Sequence, residues 1–233
     1  MGILKYKHIF IDLDKTIWDF DRNARATFEE IFKKYDLGSN GIPGLDTFIT
    51  VYTRINEMLW DLYRENKIKK EVLSIRRFEL TLNEFGIDDL ILATHIGEDY
   101  VTLSPLKTLL LPYSREALDY LRPTYALHII TNGFEEVQQK KLDVCRLRKY
   151  FRTITTSEEA GVKKPETPIF ELALSKARAR ASESLMIGDD LVVDMSGARQ
   201  AGMDTLYFNP DRHSHNEQID HEIFSWEEIK KIL

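Results

Sequence analysis

The chain has 233 residues, of which 43% are hydrophobic and 30% are charged, and its net charge at pH 7 is -6. A chain of this length buries enough surface to fold without a disulfide or a structural metal. The acidic balance argues against a nucleic-acid partner, since such proteins usually carry an excess of Lys and Arg. The single cysteine, Cys145, cannot form an internal disulfide, which fits a reducing compartment.

No stretch approaches the ~20 consecutive apolar residues that span a bilayer. The first seven residues lead into an apolar run of only three, which is too short for the core of a signal peptide. Gly2 also lacks the downstream Ser or Thr of a myristoylation signal. We therefore expect a cytoplasmic protein with no membrane partner, and the sequence leaves its oligomeric state open.

The first predicted element is a short strand, Ile9–Ile11, which ends at Asp12. Beyond it the pattern becomes helical, and four segments with apolar residues at helical spacing occupy the stretch from about residue 17 to residue 104. Gly38 and Gly86 are the expected stops of the first and third of these helices. No strand pattern interrupts them. The sequence therefore predicts an all-helical domain at 17–104, inserted after the first strand.

Past a return linker at Leu103–Pro105, strand and helix patterns alternate. Strands are expected at Leu127–Ile130, ending at Thr131, and at Leu185–Ile187, ending at Gly188. The predicted helices are Glu135–Val144, Pro168–Ala177 and Asp194–Gln200. Short runs that are apolar on both faces suit parallel strands covered by helices. The sequence thus predicts an α/β fold with a doubly wound, mostly parallel, Rossmann-like sheet as its core, formed by 1–16 and 105–233.

Polar residues follow each predicted strand, and in open α/β sheets the binding crevice lies beyond the carboxyl ends of the strands. We therefore expect these residues to meet with Lys164 at one edge of the sheet: Asp12, Asp14, Thr16, Thr131, Asn132, Gly133, Asp189, Asp190 and Asp194. Several carboxylates in close proximity repel and would take up protons unless a cation lay among them. Hard oxygen ligands suit Mg²⁺, which binds through a few carboxylates together with a phosphate.

A phosphate group needs a hydroxyl donor, a cation and backbone N–H groups. Thr131 offers the hydroxyl and Lys164 the charge. Asn132 and Gly133 offer N–H groups on a glycine-loosened turn that opens the next predicted helix, where the helix dipole favours an anion. Phosphoryl transfer would then require a nucleophile and a general acid.

Asp12 and Asp14 can supply these two functions. Asp12 ends the strand and can point into the crevice as the nucleophile, whereas Asp14 lies just past the strand end and can reach the leaving group. Asp14 would first protonate the ester oxygen and then deprotonate the water that opens the phospho-enzyme. Splitting the displacement into two steps is the usual logic of a carboxylate nucleophile.

These residues resemble the motifs of the haloacid dehalogenase superfamily. Four motifs appear in the order of that superfamily: Asp12-Leu13-Asp14-Lys15-Thr16, Thr131-Asn132-Gly133, Lys164-Pro165, and Gly188-Asp189-Asp190 with Asp194. The inserted helical domain occupies the position of the superfamily's helical, C1-type cap. The resemblance covers the whole core and implies a magnesium-dependent enzyme whose cap opens to admit substrate and closes to exclude water.

The resemblance also implies a role for each matching residue. Asp12 is the nucleophile and a metal ligand, and Asp14 is the general acid and base whose backbone carbonyl binds the metal. Asp189 is the main ligand from the last motif, while water-mediated or outer-shell roles fall to Asp190 and Asp194.

Two members of this set have local alternatives, and one motif position departs from the family pattern. Asp190 can equally cap the following helix, and Asp194 can hydrogen-bond Lys164. Lys15 stands where glycine or asparagine is common, and we expect it to point outward.

The second aspartate narrows the activity. Dehalogenases of this superfamily lack it, so Asp14 favours a phosphatase and disfavours a haloacid dehalogenase. A phosphomutase, or a phosphatase of a sugar phosphate or phosphoglycolate, stays open. An alternative of another class is a phospho-acceptor binding module, since receiver domains cluster the same residue types, although they have no cap.

Among phosphatases, the chain is most similar to the pyrimidine 5′-nucleotidase group that hydrolyses noncanonical nucleoside monophosphates. The similarity lies in Ile129–Phe134, in Ser157–Val162 and in the helical domain at Leu59-Trp60, Tyr63 and Arg77-Phe78. It implies a small phosphorylated partner, a nucleotide. Trp18 is a candidate floor for the nucleobase, because aromatic faces stack on any base; packing between cap and core is the alternative.

Overall fold

The computed structural model describes residues 5–233, so Gly2, on which the myristoylation prediction depends, lies outside the described residues. The chain forms two compact units. The α/β unit runs to Phe20 and resumes at Thr108–Leu233, and the helical unit is Asp21–Lys107. The helical unit therefore begins four residues later and ends three residues later than the predicted 17–104. Within residues 5–233, no helix has the length and apolarity needed to cross a bilayer.

The α/β unit is built on a parallel sheet that has six strands over the described residues, in the order β3-β2-β1-β4-β5-β6. The strands are β1 (His8–Ile11), β2 (Ala126–Thr131), β3 (Phe151–Thr156), β4 (Ser184–Gly188), β5 (Asp204–Phe208) and β6 (His221–Ile223). This order confirms the predicted Rossmann-like class. Ile11 pairs with Ile129 of β2 on one side and with Ile187 of β4 on the other. The residues that follow β1, β2 and β4 therefore emerge side by side.

The sheet is covered by helices on both faces. They are α5 (Ser114–Leu121), α6 (Glu135–Val144), α7 (Ser157–Ala160), α8 (Thr167–Ala177) and α9 (Gly197–Gln200). Alternate residues of β1 enter different hydrophobic clusters, Ile9 and Ile11 one and Phe10 the other, and all three are fully buried. Burial of each such side chain contributes about 1.5–3 kcal/mol. Strand β1 is thus apolar on both faces because both faces of the sheet are covered.

The predicted helices of this unit agree with the structure except at one start. Helix α6 has the predicted limits, and α8 begins one residue early. The helix expected at Asp194 instead opens with a π-helical turn, Leu191–Ser196, which continues into α9. The start moves upstream because the Asp190 carboxylate accepts the N–H groups of Val192 and Val193 at 2.9 and 2.8 Å.

The helical unit comprises α1 (Phe20–Lys34, whose first residue belongs to the α/β unit), α2 (Leu45–Arg64), α3 (Lys70–Asn83) and α4 (Leu90–Leu103). Its core is aromatic: the Phe28 ring lies 4.5 Å from the Tyr52 ring and 5.0 Å from the Tyr100 ring between centroids. Such contacts add to the free energy of burial. The first helix ends before the expected stop at Gly38, since Asp36 already adopts a left-handed conformation with φ 46°.

Candidate active site

Lys164 lies at the centre of the charged site, although it comes from a loop rather than from a strand end. Its Nζ donates to Asp12 Oδ1 at 2.5 Å, to Asp194 Oδ1 at 2.6 Å and to the Ile130 carbonyl at 3.1 Å. Burial alone would lower the pKa of Lys164, but attraction to the two carboxylates outweighs it and raises that pKa. All three ammonium hydrogens are used inside the protein, so Lys164 offers a phosphate its charge rather than a further hydrogen bond.

Three carboxyl groups converge around this lysine. Asp12, Asp189 and Asp194 each place one oxygen within 4.8 Å of the others. Burial raises the pKa of Asp12 to about 7, and the attraction of Lys164 offsets only part of that effect. Burial and the charges of Asp12 and Asp194 raise the pKa of Asp189 well above its usual range. Burial and mutual repulsion therefore oppose ionisation of the three carboxyl groups, and a divalent cation among the oxygens would favour it. Hard carboxylate donors fit Mg²⁺.

The last motif depends on a close approach between strand β4 and Asp194. A Cβ atom on Gly188 would lie 2.3 Å from Asp194 Oδ2, so only glycine leaves room for this carboxylate. Asp194 accepts the backbone N–H of Asp190 at 3.3 Å and is 1% exposed. Asp190 caps the π-helical turn, which agrees with the alternative prediction that it is a helix cap, and Asp194 forms the bond to Lys164.

Asp189 is held by the first motif. Thr16 Oγ1 donates to Asp189 Oδ1 at 2.9 Å. The Thr16 backbone carbonyl in turn accepts from Trp226 Nε1 at 2.7 Å, and Thr16 is fully buried. The threonine of the first motif therefore orients an acidic group of the last one, which the sequence did not indicate.

Asn132 and Gly133 lie at the site, as predicted, and both make contacts within the protein that the sequence did not predict. The Asn132 side chain clamps the Lys164 backbone, accepting its N–H at 2.8 Å and donating to its carbonyl at 3.0 Å. The Gly133 N–H donates to Thr131 Oγ1 at 3.1 Å. Gly133 has no left-handed backbone, so it does not loosen the turn. A Cβ there would lie 1.7 Å from Gln138 Nε2, and glycine is needed to make room for that side chain.

Two residues of α6 that the sequence did not single out contact Asp14. Lys141 Nζ donates to Asp14 Oδ1 at 2.5 Å, and Gln138 Nε2 donates to Asp14 Oδ2 at 2.8 Å. Both side chains are buried. The helix was predicted with its correct limits, but buried polar residues on an otherwise charged helix give only a weak sequence signal.

Trp18 packs in the interior and does not offer a face to a nucleobase in this structure. It is fully buried in the hydrophobic cluster of the α/β unit. The Lys141 ammonium lies 3.9 Å from its ring centroid. The base-stacking interpretation of Trp18 is therefore corrected in favour of packing within the α/β unit, because a buried ring has no exposed face.

Most residues of the helical unit that carry the nucleotidase likeness are packed inside it, and Trp60 is half-buried. Leu59, Tyr63, Arg77 and Phe78 are all buried. The Arg77 guanidinium lies 4.7 Å from the Tyr100 ring centroid and donates to Asn56 Oδ1 at 3.2 Å. Their spacing in the sequence is thus accounted for by the core of the helical unit.

The fold and this constellation define a class of enzyme. Residues 6–202 match the family model described as haloacid dehalogenase-like hydrolase, and the chain belongs to this family. This confirms the predicted family and favours an enzyme over a binding module. The structure is similar to the crystal structure of the HAD-hydrolase YfnB from Bacillus subtilis bound to magnesium, with a TM-score of 0.88, 27% identity and 98% of each chain covered.

Two of the relatives are named for different substrates. Pyrimidine 5′-nucleotidase YjjG of Escherichia coli (strain K12) is 30% identical over 217 residues, 93% of this chain and 92% of the relative. Glyceraldehyde 3-phosphate phosphatase of Pyrococcus abyssi (strain GE5 / Orsay) is 31% identical over 203 residues, 87% of this chain and 81% of the relative. Both relatives act on small phosphorylated compounds.

Proposed function

We propose that this hydrolase cleaves phosphate monoesters through a phospho-aspartate intermediate formed on Asp12. The observation that carries the proposal is the position of Asp12 at the end of β1, buried and hydrogen-bonded to Lys164 within a group of three carboxyls. A carboxylate is a nucleophile only when ionised, and Lys164 favours its ionised form.

In the first half of the reaction, an Asp12 carboxylate oxygen attacks the phosphorus atom. The bond between phosphorus and the ester oxygen breaks, and Asp14 gives its proton to the departing alkoxide. The charge of Lys164 offsets the negative charge of the phosphoryl group, and the Thr131 hydroxyl donates to one of its oxygens. Fixed donors aimed at the transferring group are the main source of catalysis in such reactions.

In the second half, water attacks the phosphorus of the acyl phosphate. Asp14, now a carboxylate, takes the proton of that water, and the bond between phosphorus and the Asp12 oxygen breaks. Inorganic phosphate and the free Asp12 carboxylate result. One residue serves as acid and then as base, as the two half-reactions require.

Mg²⁺ is the proposed cofactor. Asp12, the backbone carbonyl of Asp14 and Asp189 would hold it, with Asp194 in an outer position. The metal would supply positive charge to the carboxylates and the transferring phosphoryl group. The raised pKa values of the three aspartates and the magnesium bound to the similar YfnB structure support this assignment.

The proposed substrate is a pyrimidine nucleoside monophosphate, as for the nucleotidase YjjG. The second candidate is a small sugar phosphate, favoured by the similarity to glyceraldehyde 3-phosphate phosphatase. We propose that the helical unit is a cap that selects between such substrates. Its insertion after β1 as a separate compact unit, and the interdomain movement described for YfnB, support this role.

A panel assay tests the function. We expect phosphate release from pyrimidine nucleoside monophosphates in the presence of Mg²⁺, with little release after chelation by EDTA. Equal rates on nucleotides and on glyceraldehyde 3-phosphate would contradict the substrate assignment. Turnover that survives chelation would contradict the mechanism.

A further inference from the structure

We propose that Gln138 and Lys141 are positioning residues that fix both proton-donating groups of the site, the carboxyl group of Asp14 and the hydroxyl of Thr131. The inference rests on the proposed phosphatase function and deepens it. Neither residue belongs to the four motifs, and neither would touch the reacting atoms itself.

Helix α6 supplies one hydrogen bond to each oxygen of Asp14. Gln138 and Lys141 lie three residues apart on one helix face and are 0% and 3% exposed. Lys141 Nζ is 2.5 Å from Oδ1 and Gln138 Nε2 is 2.8 Å from Oδ2. Because both oxygens are held from the same rigid element, the Asp14 side chain cannot rotate without losing a charge-assisted hydrogen bond.

The ammonium group of Lys141 is itself fixed. It forms an ion pair with Asp14 in which the lysine side chain is 4% exposed, and it lies 3.9 Å from the centroid of the buried Trp18 ring. A cation held between a carboxylate and an aromatic face away from water has little freedom to move. Trp18 thus helps to hold Lys141, and through it Asp14, in position.

Gln138 also determines where the Thr131 hydroxyl hydrogen points. Gln138 Nε2 and the Gly133 N–H both donate to Thr131 Oγ1 at 3.1 Å. A hydroxyl group has two acceptor lone pairs and one hydrogen. With both lone pairs occupied by donors, the hydrogen is directed away from them and is free to donate to a phosphoryl oxygen.

The orientation of the Gln138 amide shows that its two donor contacts determine how it sits. Nε2 serves Asp14 and Thr131, while the buried Oε1 has no hydrogen-bond partner within residues 5–233. An unsatisfied buried carbonyl costs free energy. Rotating the amide would turn its oxygen toward the Asp14 carboxylate and replace two attractions by repulsion.

Substitutions on adjacent residues of α6 give matched controls. Lys141→Met and Gln138→Leu remove the proposed contacts, whereas Lys140→Met and Gln139→Leu make the same chemical changes one residue along the chain, at an exposed and a half-buried position. Asp14→Asn provides the reference for loss of the general acid. Each protein is assayed for kcat/KM on p-nitrophenyl phosphate and on a pyrimidine nucleoside 5′-monophosphate, since nitrophenolate leaves without a proton and the ribose 5′-oxygen does not.

For Lys141→Met we expect a loss of about tenfold or more on the nucleotide and less than about threefold on p-nitrophenyl phosphate, the same selectivity as for Asp14→Asn. In Gln138→Leu the inhibition constant for inorganic phosphate should also rise by about threefold or more, because the Thr131 hydroxyl is no longer oriented. Lys141→Arg should recover part of the nucleotide activity, and both control variants should match wild type.

Equal losses on both substrates would overturn the inference and indicate a general disruption of the site. Increased turnover in Lys141→Met would also overturn it, because the contact would then restrain Asp14 rather than position it. If Lys141→Met does not fold, judged by its thermal unfolding, Lys141→Gln is measured against the same criteria. A selective loss in Asp14→Asn without one in the α6 variants would refute the positioning role and leave the phosphatase intact. A wild-type protein inactive on both substrates would refute the proposed function instead.

Discussion

Asp12 is a carboxyl group that burial pushes toward its neutral form and Lys164 pulls toward its charged form. Its substitution separates chemistry from folding. We expect Asp12→Asn to reduce turnover by about 1,000-fold or more, because the amide keeps the shape of the side chain and removes the nucleophile. The fold should persist, since Lys164 keeps its bond to Asp194.

The measurement pairs activity with acid-quenched labelling by a phosphorylated substrate. Wild type should retain covalent phosphate and Asp12→Asn should not, while both show similar circular dichroism. The exposed Asp211 offers the same Asp→Asn change away from the site. Turnover near wild type in Asp12→Asn would mean that another residue attacks phosphorus.

Lys15 has a left-handed backbone with φ 59° and is exposed, as expected from its place in the first motif. This conformation explains why glycine or asparagine is common there, since other side chains pay a steric cost in it. Lys15→Asn should raise the free energy of unfolding by about 0.5–1 kcal/mol, measured by urea denaturation. An unchanged or lower value would show that contacts of the lysine side chain outweigh the backbone cost.

Strand β2 carries a buried histidine whose titration should make stability depend on pH. His128 Nδ1 lies 2.8 Å from Thr153 Oγ1, and its ring stacks on Phe10 at 4.7 Å between centroids. Burial, assisted by the charges of His8 and Arg152, lowers the pKa of His128 to about 4. The folded state therefore keeps this ring neutral where the unfolded chain would protonate it.

The sign follows from proton binding. Between about pH 6.5 and pH 4 the unfolded state binds more protons at His128 than the folded state does. The stability that this residue contributes is therefore complete above about pH 6.5 and is lost as the pH falls toward 4. When the pH falls from 7 to 4.5, the free energy of unfolding should decrease in both proteins, but by about 2–3 kcal/mol less in His128→Gln than in wild type. Parallel pH dependence in urea denaturation of the two proteins would show that His128 is not held neutral.

The helices and strands differ in how well their own residues predict them. Helix α6 and strand β1 were predicted closely, because each is a local pattern bounded by polar residues or glycine. Strands β3, β5 and β6 were missed, since Phe151–Thr156 is polar at several positions, Asp204–Phe208 begins with a charge and His221–Ile223 has only three residues. Pairing with β2, β4 and β5, respectively, stabilises them, and such pairing is a non-local property.

In the whole molecule, the carboxyl cluster should couple metal binding to stability. Without metal, the pKa of Asp12 is raised to about 7. The neutral form therefore stabilises the folded state at low pH, and this contribution is lost as pH rises through 7. Mg²⁺ needs the ionised form, so its binding should strengthen over the same range.

We expect Mg²⁺ at about 100 times its dissociation constant to stabilise the protein by about 2.7 kcal/mol. The increase in Tm on adding Mg²⁺ should be larger at pH 8 than at pH 6. In Asp12→Asn this pH dependence should be reduced, because one of the two titrating ligands is gone and the charge of Asp12 no longer raises the pKa of Asp189. An equal increase at both pH values in wild type would place the metal elsewhere.

By itself the sequence determined the fold class, the family and the residues of the four motifs, because short apolar runs, glycines and motif order are local properties that survive without coordinates. Only the tertiary structure decided that Trp18 packs inside, that Asp190 caps a helix and that Gly133 makes room for Gln138. It also brought Gln138 and Lys141 to Asp14 across 124 and 127 positions of the chain. Contacts over such separations depend on how helices pack on the sheet, and no local pattern encodes them.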